Sequence, residues 1–298
     1  MTSTWLTTWR LTLAFRSAGL FDKAPESLVR ATLGAALLEA VCPYRAPTGD
    51  PPCGRCPMQL SCAWPVLFKP GVLHDGPTTP PPYSLAWYGP DALTAGSRAY
   101  LDVTLVGAAQ AHLPLTLDGL KQLWLQGIGR RDARARADVV DVVELPPPAP
   151  PVGLADSITL ALDTPLTLRE WRDDRRVELS AFDAAAFARA CRRRLESLGA
   201  PIDVPADDDL IAEAIRTRPT TRRAYSARQD RPLYARGLVG QVDLGGPIGP
   251  WMPALAALTR LGVGRMTTWG NGRISLWPRG EAPAPPGRSP HRRPERRR

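Results

Sequence analysis

The sequence predicts an α+β protein made of two related units, each with the element order β-α-β-β-α-β. A glycine-rich loop lies late in the second unit, and a basic tail follows it. Three observations carry this expectation. A proline-dense run at Leu145–Pro151, LPPPAPP, divides the chain, because proline cannot donate ladder hydrogen bonds and favours an extended linker. Both halves open on a strand pattern followed by a helical one. Both halves also close alike, with an amphipathic helix, a Gly-apolar-Gly-Arg step and a strand: Gly127-Ile128-Gly129-Arg130 mirrors Gly262-Val263-Gly264-Arg265. This weak internal repeat keeps the same order in both units. The expected boundaries are 1–145, a linker at 146–151, 152–279 and a tail at 280–298.

In the first half Trp5, Trp9, Leu11, Leu13 and Phe15 share one face of a period of two, opposite Arg10, Thr12 and Arg16. That is a half-buried strand. A helix is expected over Pro25–Cys42, with Leu28, Ala31, Ala35 and Leu38 at helical spacing. In the second half Ile158, Leu160 and Leu162 alternate with Thr159, Ala161 and Asp163. A second helix opens at Ser180, with Asp183 three residues on as a capping-box pair. Phe187, Cys191, Leu195 and Leu198 form its stripe, and Gly199 ends it. Residues 280–298 carry six arginines and two glutamates with no apolar period, the composition of a disordered tail that can grip nucleic acid without specificity.

The 298 residues carry 38 basic and 29 acidic side chains, a formal charge of +9, and Lys23, Lys69 and Lys121 are the only lysines. Such a balance favours a polyanionic partner. No apolar run reaches the ~20 residues of a membrane span. The first residues, MTSTWLTTWR, lack the charged start and apolar core of a secretory signal. Five cysteines are too few for a disulfide scaffold. The expectation is a cytoplasmic protein with no membrane partner.

Charge and glycine concentrate in two segments. Residues 262–273, GVGRMTTWGNGR, place Gly262, Gly264, Gly270 and Gly272 where a ligand backbone can come close. Arg265 and Arg273 can fork onto phosphates, Thr267 and Thr268 offer hydroxyls, and Trp269 offers a stacking face. The segment lacks the Gly-Lys-Ser/Thr ending of a Walker A loop and the third glycine of a dinucleotide fingerprint. A plain glycine-rich turn before a strand is the alternative. Upstream, residues 216–236 hold seven arginines (216, 218, 222, 223, 228, 231 and 236) against Asp230, interleaved with Tyr225 and Tyr234. Arginine and aromatics at this density suit RNA, where phosphates are forked and bases stack; a solvated basic loop is the alternative.

These residues resemble the CRISPR-associated endoribonucleases that cut precursor guide RNA, in the RAMP superfamily. The strand ITLALDTPLTL, the arginine-bearing helix AFDAAAFARACRRRLESLG, the segment YSARQDRPLYARGLVGQVDL and the loop GVGRMTTWGNGRISL are each similar to a segment of that family. LVRATLGAALLEAVCP and CGRCPMQLSCAWPVLF resemble its helix and cysteine cluster, so the likeness spans some 250 residues. The resemblance implies two tandem ferredoxin-like (RRM-like) domains and metal-independent cleavage with no catalytic cofactor. It also implies retention of the product crRNA. CRISPR repeat RNA and other effector subunits would be the partners. A non-catalytic crRNA-binding subunit of an interference complex is the rival reading. A DNA-binding regulator has little support, because no helix-turn-helix pattern is present.

Metal-free cleavage sends the 2′-hydroxyl onto the adjacent phosphate, which requires alignment, proton transfer and charge stabilisation. Many members of the family carry histidine just before the apolar-Gly-Lys of the loop. This chain has Gly262 there, and Arg265 in place of lysine. Its histidines are His74, in a proline-rich loop, His112, before a helix, and His291, in the tail. The candidate catalytic set is therefore arginine-led: Arg265, Arg223 and Arg30, with Arg228 beside them and Tyr225 as an acid. Candidate RNA contacts are Arg222, Arg223, Arg228, Arg231, Arg192 and Arg193, with the loop residues from Gly262 to Arg273 named above. Solvated helix charges are the alternative for Arg30 and for Arg192–Arg194.

Cys42, Cys53, Cys56 and Cys62 are spaced C-x10-C-x2-C-x5-C within 42–62. Four thiolates can close a tetrahedral structural zinc site, and residues 43–61 have little apolar material to order them otherwise. Free thiols are the alternative. Cys191 lies on an apolar stripe and is expected in the core.

Overall fold

The alternation of Leu11, Leu13 and Phe15 forms strand β1 (Leu6–Phe15), whose three side chains all enter the core of the first unit. The computed structural model describes residues 4–44, 53–73, 79–130, 132–149, 157–226 and 231–283. The first unit continues through α1 (Pro25–Val41), β2 (Tyr83–Tyr88), β3 (Arg98–Val106), α2 (Leu113–Gln126) and β4 (Ala137–Leu145). The second runs through β5 (Ile158–Leu166), α3 (Ala184–Ser197), β6 (Ile211–Ser226), β7 (Arg231–Gly245), α4 (Ile248–Leu261) and β8 (Ile274–Pro278).

The sheet orders are β2-β3-β1-β4 and β6-β7-β5-β8, all antiparallel. In each unit the first strand lies between the third and fourth, which is the tandem ferredoxin-like arrangement. Helices cover one face of each sheet. Trp124 of α2 stacks on Trp87 of β2 at 5.9 Å and meets Phe15 edge-on at 5.8 Å, at the centre of the first core. Phe187, Cys191 and Leu195 of α3 and Trp251, Leu255 and Leu258 of α4 fill the second.

Local details depart from the sequence expectation. Helix α1 buries Val29, Leu33 and Leu37, whereas Ala31 is half-buried and Ala35 exposed. The helix is apolar on adjoining faces, so periodicity alone does not fix which face packs. Helix α3 begins at Ala184, and Asp183 is its N-cap, accepting from the Ala186 N–H at 2.6 Å. A single Asp cap replaces the expected capping box from Ser180. Trp9 is half-buried, because β1 is buried on both faces near its start: Leu6 joins the core of the second unit, and Thr8 hydrogen-bonds Thr104.

The arginine-rich segment is a long antiparallel hairpin rather than a loop. β6 and β7 pair from Ile211↔Gly245 to Ser226↔Arg231, whereas β5 accompanies β7 only from Leu244 to Leu238. The far half is thus a two-stranded ribbon. It reaches the first unit, where the Ala24 N–H donates to the Arg223 carbonyl at 3.1 Å. A second, small hairpin pairs Arg169–Arg172 with Arg175–Glu178. Its turn residues Asp173 and Asp174 have φ of 47° and 58°, the sense a two-residue hairpin turn requires. Among the described residues no helix is long and apolar enough to cross a membrane. The basic tail beyond 283 lies outside the described residues, as does linker residue 150 and the stretch to 156.

Candidate nucleic-acid interface

Helix α4 ends at Gly262, where φ is 69°, and the chain then folds into a compact turn before β8. Val263 N–H donates to the Gly272 carbonyl at 2.8 Å, and Gly272 N–H to the Pro165 carbonyl at 3.0 Å. The glycines let the protein, rather than a ligand, approach closely. A Cβ on Gly272 would lie 1.8 Å from the Val263 oxygen, and one on Gly270 would lie 2.4 Å from the Glu26 carboxyl carbon. Tight self-packing of this kind fixes the residues between them, Arg265 to Trp269.

Those residues face a groove of about 920 Å³ between the units. From the second unit Gly264, Arg265, Thr267, Thr268 and Trp269 line it, with Arg193 and Arg194 of α3 and the small hairpin's Arg169, Trp171 and Arg176. From the first unit comes Arg30 of α1. Its Nε donates to Thr268 Oγ1 at 3.2 Å, and its guanidinium lies 5.4 Å from the Phe68 ring and 5.7 Å from the Trp269 ring. Arg265 and Arg169 share Glu178, at 3.1 and 2.7 Å.

Of the candidate residues, Arg30, Arg193, Gly264, Arg265, Thr267, Thr268 and Trp269 come together at the groove. Others are committed to the fold. Arg222 pairs at 2.7 Å with Glu26, which is 1% exposed, and also donates to the Gly270 carbonyl at 3.2 Å. Arg273 donates to the Trp87 carbonyl at 2.7 Å and lies 4.8 Å from the Tyr88 ring. Arg192 holds Asp207 at 2.8 Å and donates to the Pro205 carbonyl. These three join elements to each other and do not line the groove; an arginine opposite a buried carboxylate or carbonyl is already neutralised or saturated. Gly262, Gly270 and Gly272 shape the turn without lining the groove. Arg223 is exposed on the ribbon, away from it. Arg228 and His74 lie outside the described residues, as do the side chains of Tyr225 and Arg231. Arg216 is also structural, holding Asp243 through two bonds of 2.8 and 2.9 Å and pulling its carboxyl below the usual range.

Sequence reasoning missed Arg169, Trp171 and Arg176, and met Arg194 only within the Arg192–Arg194 cluster, for which a solvated face was the alternative. The signal for the first three was present: REWRDDRRVE reads as two short strands about an Asp-Asp turn. Arg194 sits on the buried side of α3, 6% exposed, and burial lowers its pKa to about 10.

The four clustered cysteines line one separate cavity of about 230 Å³, with His112 beside them. Burial raises the thiol pKa of Cys53 and Cys62, and neighbouring thiols push in the same direction. Among the described residues no three His, Cys, Asp or Glu side chains come together as a metal-holding group. Cys42 lies on one described stretch and Cys53, Cys56 and Cys62 on the next, with residues 45–52 between them outside the described ones. His112 belongs to this cavity and not to the groove.

The fold is a tandem ferredoxin-like one, and solved structures share it. The chain overlies the structure titled "Cas6 (TTHB231) product complex" at a TM-score of 0.55, with 17% identity over 91% of this chain and 99% of that one. It overlies "An RAMP protein binding different RNA substrates" at 0.53, with 13% identity and coverage of 91% and 99%. A Cas6-related protein from Pyrococcus furiosus gives 0.51, with 14% identity and coverage of 91% and 98%. No curated protein matches the chain in sequence. The family model AF_1859_N, described as an N-terminal domain, matches residues 4–157, more than half of the chain, and the protein belongs to that family.

Proposed function

We propose that the protein binds CRISPR repeat RNA in the inter-unit groove and cleaves precursor crRNA by metal-independent attack of a 2′-hydroxyl. The observation that carries this is the convergence of Arg30 and Arg265 from different units on one basic groove beside Trp269. The solved relatives support it: one is titled a Cas6 product complex and another an RAMP protein binding RNA substrates. In the reaction the 2′-oxygen attacks phosphorus in line, and the P–O5′ bond breaks. A 2′,3′-cyclic phosphate and a 5′-hydroxyl remain. Arg30 and Arg265 stay protonated and stabilise the charge gathering on the phosphoryl oxygens. Among the described residues no histidine lines the groove. The rival reading is a crRNA-binding subunit without cleavage.

Incubation of the protein with labelled repeat RNA in EDTA decides between them. Cutting at one position to a cyclic phosphate supports the enzyme. Tight binding with intact RNA establishes the subunit instead. Arg265→Ala and Arg30→Ala are each expected to lower the cleavage rate about 100-fold, the typical effect of removing one charge-stabilising donor. Undiminished cleavage in both would remove them from the mechanism. Retention of crRNA with other CRISPR subunits belongs to the same proposal, and co-purification of the crRNA with the protein tests it.

A structural zinc at the cysteine cavity is a separate proposal. It is supported by four thiols around one small cavity. Binding would have to draw Cys42, Cys53, Cys56 and Cys62 inward and deprotonate them.

A further inference from the structure

The groove holds a pair of features that the cleavage reading does not use. Arg194 is almost completely buried, yet its guanidinium has only the Leu261 carbonyl, at 3.2 Å from Nη2. Its Nε has no partner, and no carboxylate among the described residues pairs with it. Burial lowers its pKa to about 10, so the side chain is still cationic at neutral pH. A buried cation without an anion is costly unless something else supplies the charge. This one lines the groove. Six arginines face that groove against two glutamates, so the surroundings favour an anion.

Trp171 lines the same groove, 63% exposed and part of neither core cluster. It is held on a short hairpin whose Asp173–Asp174 turn sets its geometry. The cross-strand partner Arg176 places its guanidinium 5.1 Å from the indole, which leaves a wide aromatic surface in solvent. A large exposed indole on a braced turn, in the same groove as an unpaired buried cation, matches the two parts of a nucleotide: a base for the ring and a phosphate for the guanidinium. A base inside a duplex has both faces covered by its neighbours, so an aromatic side chain can stack only on an unpaired one.

We infer that Trp171, Arg193 and Arg194 form a subsite for a single-stranded stretch of RNA, with an unpaired base stacked on Trp171 and its phosphate seated against Arg194. This subsite rests on the reading of the groove as an RNA site and adds that the bound RNA carries an unpaired flank. Stacking tolerates any base, so the subsite selects for single-strandedness and not for sequence.

Two RNAs test it: a repeat hairpin with its single-stranded flanks and the same hairpin trimmed of them. The protein is expected to bind the flanked RNA about tenfold more tightly, and Trp171→Ala, a change at an exposed side chain, should abolish that difference. Arg194→Gln should lower affinity for the flanked RNA only, with Arg194→Lys restoring part of it. A flank with single methylphosphonate linkages tests the same contact on the native protein: one linkage should reproduce the Arg194→Gln loss. Equal binding of both RNAs, or an equal loss on both in Trp171→Ala, overturns the subsite while leaving RNA binding intact. Binding of neither RNA overturns the subsite and the wider reading together.

Discussion

Arginine is the residue that decides this protein, and its copies do different work. Glu26 is 1% exposed and carries its charge between the two units, where Arg222 reaches it at 2.7 Å and the Trp87 N–H donates at 3.3 Å. Removing one partner of such a pair leaves the other charge buried and uncompensated. Arg222→Ala is therefore expected to destabilise the protein by about 3 kcal/mol in urea unfolding, with Glu26→Gln in the same background recovering part of the loss. A variant within about 1 kcal/mol of the parent would mean that solvent reaches Glu26 and that the ribbon does not hold the units together. By contrast Arg30, one turn along α1, meets only a hydroxyl and two aromatic rings and keeps its charge available at the groove. Arg30 lies in an apolar helix and Arg222 beside Arg223 in a basic segment, so sequence context would leave Arg222 the more available of the two. The tertiary position of Glu26 reverses that order.

At the scale of elements, the order of strands and helices was legible because binary pattern and turn residues agree along the chain. Leu11, Leu13 and Phe15 announce β1, and Phe187, Cys191 and Leu195 announce α3. The glycine-rich turn was legible as a special place, though for an incomplete reason. Its glycines were expected to admit a ligand, whereas Gly270 and Gly272 admit Glu26 and Val263. Composition shows where the backbone comes close to something and is silent on what. The arginine-rich segment has the converse history: its charge hides a strand pattern, and pairing with β7 turns it into a ribbon. The cysteine segment is the element whose order is least explained by apolar packing. If zinc supplies that order, metal analysis of the purified protein should return about one zinc per chain, and chelation should lower its melting temperature. Less than about 0.3 zinc per chain would leave the cysteines as free thiols, since four thiolates hold zinc tightly.

At the scale of the whole molecule, the formal charge of +9 conceals a division between arginines spent on folding and arginines left for a ligand. Arg216 and Arg222 each hold a buried carboxylate. Arg30, Arg176, Arg193 and Arg194 have no carboxylate partner among the described residues, and all four line the groove. The distinction has a thermodynamic signature. A cation that meets an RNA phosphate displaces a condensed counterion, so the slope of log affinity against log salt counts the contacts. Replacing Arg30, Arg176 or Arg193 by alanine, one at a time, is expected to make that slope shallower by nearly one unit in flanked repeat RNA binding. Replacing Arg216 or Arg222 should leave it unchanged, even where the variant is less stable, because those charges are already neutralised within the protein. A slope that falls equally for both groups would place the RNA across β6 as well as the groove. A slope that falls only for Arg216 and Arg222 would move the binding surface away from the groove altogether.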